Sequence, residues 1–129
     1  MRILVIEDSD SIRHMIEALV RARGHEVEAV PTGARGVDCA LARTPDAILL
    51  DLHLPGGFDG VEVCRRLRQA EPTRAVPIIV ISALTDDASK QLALDAGATA
   101  YYTKPFSPTA LLKELEWIPV RSSARIRVT

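Results

Sequence analysis

The chain contains 129 residues with a formal net charge of -1, and 47% of them are hydrophobic and 26% charged. This length and balance are typical of one globular domain, and they exclude a disordered or fibrous protein. The small net charge does not favour nucleic acid as a direct partner, and apolar runs of only about five residues are too short to cross a membrane. We therefore expect a cytoplasmic protein that binds neither a membrane nor nucleic acid directly.

Five segments carry the pattern of β-strands. Three of them are dense in Ile, Val and Leu without alternation, which is typical of central parallel strands covered on both faces. The other two alternate more between apolar and polar residues, as strands nearer the edges of a sheet do. The central candidates are residues 2–8, 47–51 and 76–82, and the edge candidates are residues 25–30 and 98–104.

Helical patterns fill the intervals between these strands. The clearest is "SDSIRHMIEALVRARG", in which apolar residues recur at three- and four-residue spacing. Each helical segment begins with a residue that can accept a hydrogen bond from the first turn. These N-cap candidates are Ser9 or Asp10, Thr32, Asp59, the acids that open "DDASKQLALDAG", and Ser107. The resulting βα order, repeated five times, predicts an α/β fold with a doubly wound parallel sheet and helices on both faces.

Polar side chains follow four of the predicted strands, at the edge where doubly wound sheets bind ligands. They are Glu7, Asp8, Asp51, Ser82 and Lys104. Clustered carboxylates repel one another unless a cation shares the site, and Mg²⁺ prefers such oxygen ligands. A lysine and a hydroxyl can hold an anion beside them, and a carboxylate can act as a nucleophile towards phosphorus. The sequence therefore predicts a Mg²⁺ site at which a phosphoryl group is transferred to Asp51.

The same residues resemble a known family. The pair "ED" at 7–8, Asp51 with the following "LP" and "DG", "SA" at 82–83 and "KPF" at 104–106 resemble the receiver domain of two-component response regulators, chemotaxis regulators among them. The resemblance covers residues 2–117. It implies a flavodoxin-like fold, with five parallel strands in the order 2-1-3-4-5.

The resemblance also implies how the acidic residues are used. Asp51 would be the phosphoacceptor, which takes a phosphoryl group from a sensor histidine kinase or a histidine phosphotransfer protein. Mg²⁺ would be bound by Asp8, Asp51 and the backbone carbonyl of His53, with Glu7 assisting through water. The loop at 55–59 has one residue more than the usual family spacing, which affects the geometry next to His53.

The remaining site residues are assigned by the same resemblance. Ser82, with Ala83 beside it, would bind a phosphoryl oxygen, and Lys104 would pair with the phosphate. A cis peptide bond is implied between Lys104 and Pro105, although such bonds are a small minority at X-Pro positions.

The resemblance further implies a conformational switch. Ser82 would move towards the phosphoryl group and draw the ring of Tyr101 inwards, which changes the surface formed by the fourth helix, fifth strand and fifth helix. Because strand side chains alternate, Tyr101 and Tyr102 should face opposite sides of the sheet. A downstream output domain or partner protein would respond to the altered surface.

Two alternatives use the same fold. One is a pseudo-receiver, a binding module whose pocket is vestigial and whose helical surface binds partners regardless of phosphorylation. The other is a Mg²⁺-dependent phosphohydrolase acting through an aspartyl phosphate, which is disfavoured because "DLHL" lacks a second acid two residues after Asp51. The signalling receiver is preferred; it would catalyse only its own phosphorylation and dephosphorylation and would not be an enzyme towards other substrates.

The end of the chain is more basic than the rest. We expect a receiver domain over residues 1–118 and a basic tail or linker over residues 119–129, since the last nine residues hold three arginines and no acid.

The two cysteines, Cys39 and Cys64, lie in helical segments without ligand-like spacing. This position indicates reduced, buried and inert thiols, with a disulfide as the weaker alternative.

Overall fold

The computed structural model describes residues 1–54, 56 and 58–117. Within them, five parallel strands form one sheet in the order 2-1-3-4-5, as the resemblance implied. The two more alternating segments are the edge strands, so the prediction drawn from their pattern is confirmed. The strands are β1 (Arg2–Ile6), β2 (Glu26–Val30), β3 (Ala47–Asp51), β4 (Ile78–Ser82) and β5 (Ala100–Thr103).

Helices connect the strands in the predicted places. They are α1 (Asp10–Ala22), α2 (Gly33–Ala42), α3 (Gly60–Gln69), α4 (Asp87–Asp95) and α5 (residues 108–117), and a short 3-10 helix (Glu71–Thr73) precedes β4. Ser9 rather than Asp10 caps α1, because its side chain accepts a hydrogen bond from the Ile12 amide. The other caps act in the same way and are Thr32, Asp59, Asp86 and Ser107.

Two apolar clusters, one on each face of the sheet, form the core. One unites β-strand side chains such as Ile6 and Leu50 with α2, α3 and α4. The other joins Ile3 and Leu49 to α1 and α5. This double covering explains why the central strands lack alternation and confirms the doubly wound architecture. Throughout the described residues, every helix is too short or too polar to cross a bilayer.

Four strands are shorter than the sequence pattern predicts, the second by only its first residue. The first ends at Ile6: the Glu7 amide still donates to the Val30 carbonyl, at 3.1 Å, but the chain then turns out of the sheet. The fourth begins at Ile78, because the Val76 amide is bonded to Thr73 in the preceding turn. The fifth starts after the Ala98 amide has closed the end of α4. Local hydrogen bonds therefore determine where these strands begin and end, and the apolar sequence pattern does not reveal such bonds.

The two cysteines are free but differ in burial. Cys64 in α3 is fully buried, whereas Cys39 in α2 is only half-buried, so the prediction of a buried thiol was wrong for Cys39. The cause is position on the helix: Cys64 lies within the core cluster, and Cys39 packs at its margin. Desolvation raises the pKa of the Cys64 thiol to about 11.

This difference predicts selective thiol chemistry. An aromatic disulfide reagent added to the folded protein should modify Cys39 first and leave Cys64 unreacted, because Cys64 is inaccessible and has little thiolate at neutral pH. Absorbance of the released thiolate should report one thiol in buffer and a second after denaturant is added. Equal rates for wild type and Cys39→Ser in buffer would contradict the prediction.

Candidate functional site

Strand ends bring the predicted acidic residues together at the carboxyl edge of the sheet. Glu7 and Asp8 follow β1, and Asp51 is the last residue of β3. One carboxylate oxygen from each lies within 4.8 Å of the others. Glu7 and Asp51 are 1% and 4% exposed, whereas Asp8 is exposed to solvent. This group, called the acidic cluster below, therefore consists of two buried carboxylates and one exposed carboxylate.

Lys104 supplies a positive charge to the acidic cluster. Its Nζ lies 2.9 Å from Oε1 of Glu7 and 3.3 Å from Oδ2 of Asp51. The neighbouring carboxylates favour the charged ammonium and, against the opposing effect of its burial, raise the pKa of Lys104 above its usual value. One ammonium is thus shared by two buried carboxylates.

The surroundings of Glu7 favour its protonated form. Burial, and after it the neighbouring Asp51 carboxyl group, raises the pKa of Glu7 from 4.5 to about 7. The ammonium of Lys104 and the amide of Ser9, 3.1 Å from Oε2 of Glu7, act in the opposite direction but do not cancel the increase. The acidic cluster therefore has negative charge that a further cation can neutralise.

The donor set suits a hard divalent cation. The three carboxylates offer oxygen ligands at one point, with Asp8 accessible from solvent. Mg²⁺ binds through one or two carboxylates while keeping several waters, and it is commonly found beside phosphate groups. The residues present therefore fit Mg²⁺ better than a metal that requires His or Cys ligands.

Ser82 and Tyr101 are linked through the main chain of Leu84. The Leu84 amide donates to Oγ of Ser82, at 3.1 Å, and its carbonyl accepts a hydrogen bond of 2.8 Å from the Tyr101 hydroxyl. Ser82 is fully buried, and Ala83 after it is exposed. The ring of Tyr101 is half-buried against the cluster that contains α2, α3 and α4, while Tyr102 packs on the opposite face, which confirms the predicted alternation.

The segment after β3 positions the carboxylate of Asp51. The His53 amide donates to Oδ1 of Asp51 at 3.1 Å, while the His53 side chain is exposed. The additional residue predicted for the loop at 55–59 falls partly outside the described residues. The peptide bond between Lys104 and Pro105 is cis, as the resemblance implied.

Sequence reasoning did not anticipate three of these contacts. The ion pair between Lys104 and Glu7 joins residues 97 positions apart, whereas Lys104 was expected to pair with the phosphate beside Asp51. The contacts of Leu84 use backbone atoms, so its residue type gave no signal for them. The sequence offered one indication of the contact of the Leu84 amide, namely Ser82, because a serine side chain often accepts a hydrogen bond from the amide two residues ahead.

Comparison with known proteins identifies relatives across almost the whole chain. The family profile described as "Response regulator receiver domain" matches residues 3–116. The KDP operon transcriptional regulatory protein KdpE of Escherichia coli is 42% identical over 122 residues, covering 95% of this chain and 52% of KdpE. The chain spans about half the length of the curated relatives it matches.

Solved structures show the same fold. The receiver domain of the sensor histidine kinase PA1611 from Pseudomonas aeruginosa, with a magnesium ion coordinated in its active site cleft, superposes with a TM-score of 0.83. It is 36% identical, and the match covers 91% of this chain and 96% of that one. Chemotaxis protein CheY4 of Vibrio cholerae gives a TM-score of 0.84 at 31% identity, covering 89% of this chain and 95% of CheY4. By fold, acidic cluster and sequence, the chain belongs to the receiver domain family of two-component response regulators.

Proposed function

We propose that the protein is a phosphorylation-dependent receiver that accepts a phosphoryl group on Asp51 from a sensor histidine kinase or a histidine phosphotransfer protein. The observation that carries this proposal is the environment of Asp51: a buried carboxylate with its two oxygens held by the His53 amide and the Lys104 ammonium. A carboxylate fixed in this way can attack phosphorus without a general base, because it has no proton to lose.

The transfer exchanges one bond to phosphorus for another. A bond forms between phosphorus and an Asp51 carboxylate oxygen, and the bond between phosphorus and the donor's imidazole nitrogen breaks. The leaving imidazole keeps the bonding electron pair and takes a proton from solvent. The protein's contribution is to orient Asp51 and to offset the charge of the phosphoryl oxygens. It would act on its own phosphoryl group, in phosphorylation and in hydrolysis, and not on external substrates.

Neighbouring groups would stabilise the phosphoryl group. Lys104 exchanges part of its pairing with Glu7 and Asp51 for a phosphoryl oxygen, and the hydroxyl of Ser82, beside Ala83, donates to another. Mg²⁺, when bound by Asp8, Asp51 and the backbone carbonyl of His53 with Glu7 assisting through water, would neutralise negative charge on the phosphoryl oxygens.

The response would pass from Ser82 to Tyr101. Since the Leu84 amide bonds Ser82 and the Leu84 carbonyl bonds Tyr101, movement of Ser82 towards phosphate changes both contacts. The half-buried ring of Tyr101 then moves inwards. This movement changes the surface formed by α4, β5 and α5. A small local charge change thereby selects between two packings.

The proposed partners follow from the relatives. We infer that a receiver domain spans residues 1–118, with a basic tail or linker at 119–129, and that a downstream output domain or partner protein reads the altered surface. KdpE is named as a transcriptional regulatory protein and is about twice as long as the matched region, which supports an output beyond this domain. No direct contact of this domain with nucleic acid or membrane is proposed.

Incubation with Mg²⁺ and acetyl phosphate tests the function. Intact mass spectrometry is expected to detect one added phosphoryl group on the wild type and none on Asp51→Asn, because the amide cannot act as the nucleophile. Asp38→Asn is the matched control, since Asp38 is an exposed carboxylate on α2 and this variant should be phosphorylated normally.

The outcomes separate the alternatives. Equal phosphorylation of wild type and Asp51→Asn would overturn the assignment of Asp51. A wild type that never gains mass, and binds its partner as Asp51→Asn does, would indicate the pseudo-receiver. Continuous release of phosphate from a panel of phosphate esters would indicate the phosphohydrolase instead.

A further inference from the structure

The two acids that follow β1 lie on a very short connection. Only residues 7–9 separate β1 from α1, and both Glu7 and Asp8 belong to the acidic cluster. The relative position of their carboxylates therefore depends on how firmly the main chain of this connection is held. A divalent cation site is sensitive to displacements of a fraction of an ångström in its ligands.

Arg13, one turn into α1, reaches back to this connection. Its Nη1 donates to the Glu7 carbonyl at 3.0 Å and lies 3.5 Å from the Asp8 carbonyl. Its Nη2 is 2.6 Å from Oδ1 of Asp10. Only 13% of the Arg13 side chain is exposed, so the guanidinium is held in a defined position between α1 and the connection.

We propose that Arg13 is a positioning residue for the acidic cluster: its guanidinium fixes the main chain that presents Glu7 and Asp8 and thereby increases the affinity for Mg²⁺. This inference rests on the proposed function in one respect, that the acidic cluster binds Mg²⁺. Arg13 itself touches neither the cation nor the phosphoryl group.

Because Arg13 is positively charged, the direction in which Mg²⁺ affinity changes on its removal tests the proposal. If Arg13 acted only through its electric field, its removal would strengthen Mg²⁺ binding, because two cations repel each other. If Arg13 holds the ligands in place, its removal weakens binding in spite of the lost repulsion. Outer contacts that orient metal ligands typically change affinity by about 10- to 100-fold.

A second arginine on α1 provides the matched control. Arg21 forms an ion pair of 2.9 Å with Glu17 on the same helix, and 62% of its side chain is exposed. This ion pair stays within the helix, near its C-terminal end, and does not support the connection at 7–9. Substitution of Arg21 therefore changes the net charge and removes a helical ion pair without altering support of the acidic cluster.

Calorimetric titration with MgCl₂ on the full chain tests the inference. Arg13→Met is expected to raise the Mg²⁺ dissociation constant about 10-fold, while Arg21→Met leaves it near that of the wild type. Arg13→Lys keeps the charge but replaces the forked donor with a single ammonium, so an intermediate increase of about 3-fold is expected. Circular dichroism establishes that each variant is folded before titration.

The possible results lead to distinct conclusions. An unchanged or lower dissociation constant in Arg13→Met overturns the positioning role and leaves the proposed function intact. If the wild type binds no Mg²⁺, both the proposed function and this inference fail. Should Arg13→Met not fold, Arg13→Lys decides: weaker binding than wild type supports the role, and unchanged binding overturns it.

Discussion

Replacing Asp51 by asparagine is expected to increase the free energy of unfolding in metal-free solution at about pH 8 by about 2 kcal/mol. The substitution removes one of two buried carboxylates that share a single ammonium, while the His53 amide can still bond the side-chain oxygen. Glu7 then keeps Lys104 to itself. The residue proposed to carry the chemistry is thus expected to reduce stability when no cation is bound.

Urea unfolding as a function of pH and Mg²⁺ measures this effect. Because the pKa of Glu7 is raised from 4.5 to about 7, the folded protein binds this proton more tightly than the unfolded chain does, and stability falls as the pH rises through that interval. The fall should be smaller in Asp51→Asn, since one source of the increased pKa is gone. Added Mg²⁺ should stabilise the wild type more than the variant.

The control for this prediction is again Asp38→Asn, which removes an exposed acid and should leave stability within about 0.5 kcal/mol of wild type. A lower stability of Asp51→Asn in metal-free solution would contradict the argument. It would mean that the contact between Asp51 and Lys104 stabilises the fold more than the repulsion between the two acids destabilises it.

Substitution of Gly60 by alanine is expected to destabilise the protein by about 2 kcal/mol and to slow phosphorylation. A Cβ atom at Gly60 would lie 2.5 Å from the Asp51 carbonyl oxygen and 2.7 Å from the Cα of Leu52. Both are backbone atoms, so relief of the clash must displace either the start of α3 or the end of β3. Either movement disturbs the support of the Asp51 carboxylate.

Gly24→Ala separates this steric effect from the general cost of replacing glycine. Gly24 has a φ of +85°, and a Cβ atom added there would have nothing within 4 Å, so alanine should cost about 1 kcal/mol through backbone strain alone. It should leave the initial rate of phosphorylation by acetyl phosphate unchanged. Equal stability and equal rates for Gly60→Ala and Gly24→Ala would show that the close approach at Gly60 is readily relieved.

Local sequence patterns were sufficient to predict the strands, the α-helices and their order, but not the short 3-10 helix before β4. Short unalternating runs identified the central strands, and the polar oxygens of residues such as Thr32 and Asp59 identified the helix starts. Several strand ends were not predictable, because they depend on turn hydrogen bonds such as that from the Val76 amide to Thr73. The run of apolar residues includes such positions, although they lie outside the strand.

The convergence of the acidic residues was predictable for a topological reason. Parallel strands all end at the same edge, so polar residues after β1 and β3 had to lie close together. The pairing of Lys104 with Glu7, and the reach of Arg13 to the Glu7 carbonyl, depend on side-chain conformations in the folded protein. Neither leaves a pattern in the local sequence. The roles proposed for Ser82, Ala83, Lys104 and Tyr101 remain predictions.

The contacts of Leu84 have a consequence for how such a protein can vary. Its amide and carbonyl connect Ser82 to Tyr101, whereas its side chain takes no part in either hydrogen bond. Evolution can therefore exchange the side chain at position 84 without breaking the hydrogen-bonded connection between Ser82 and Tyr101. In the proposed receiver, the residue type at this position and the link from Ser82 to Tyr101 can then change independently.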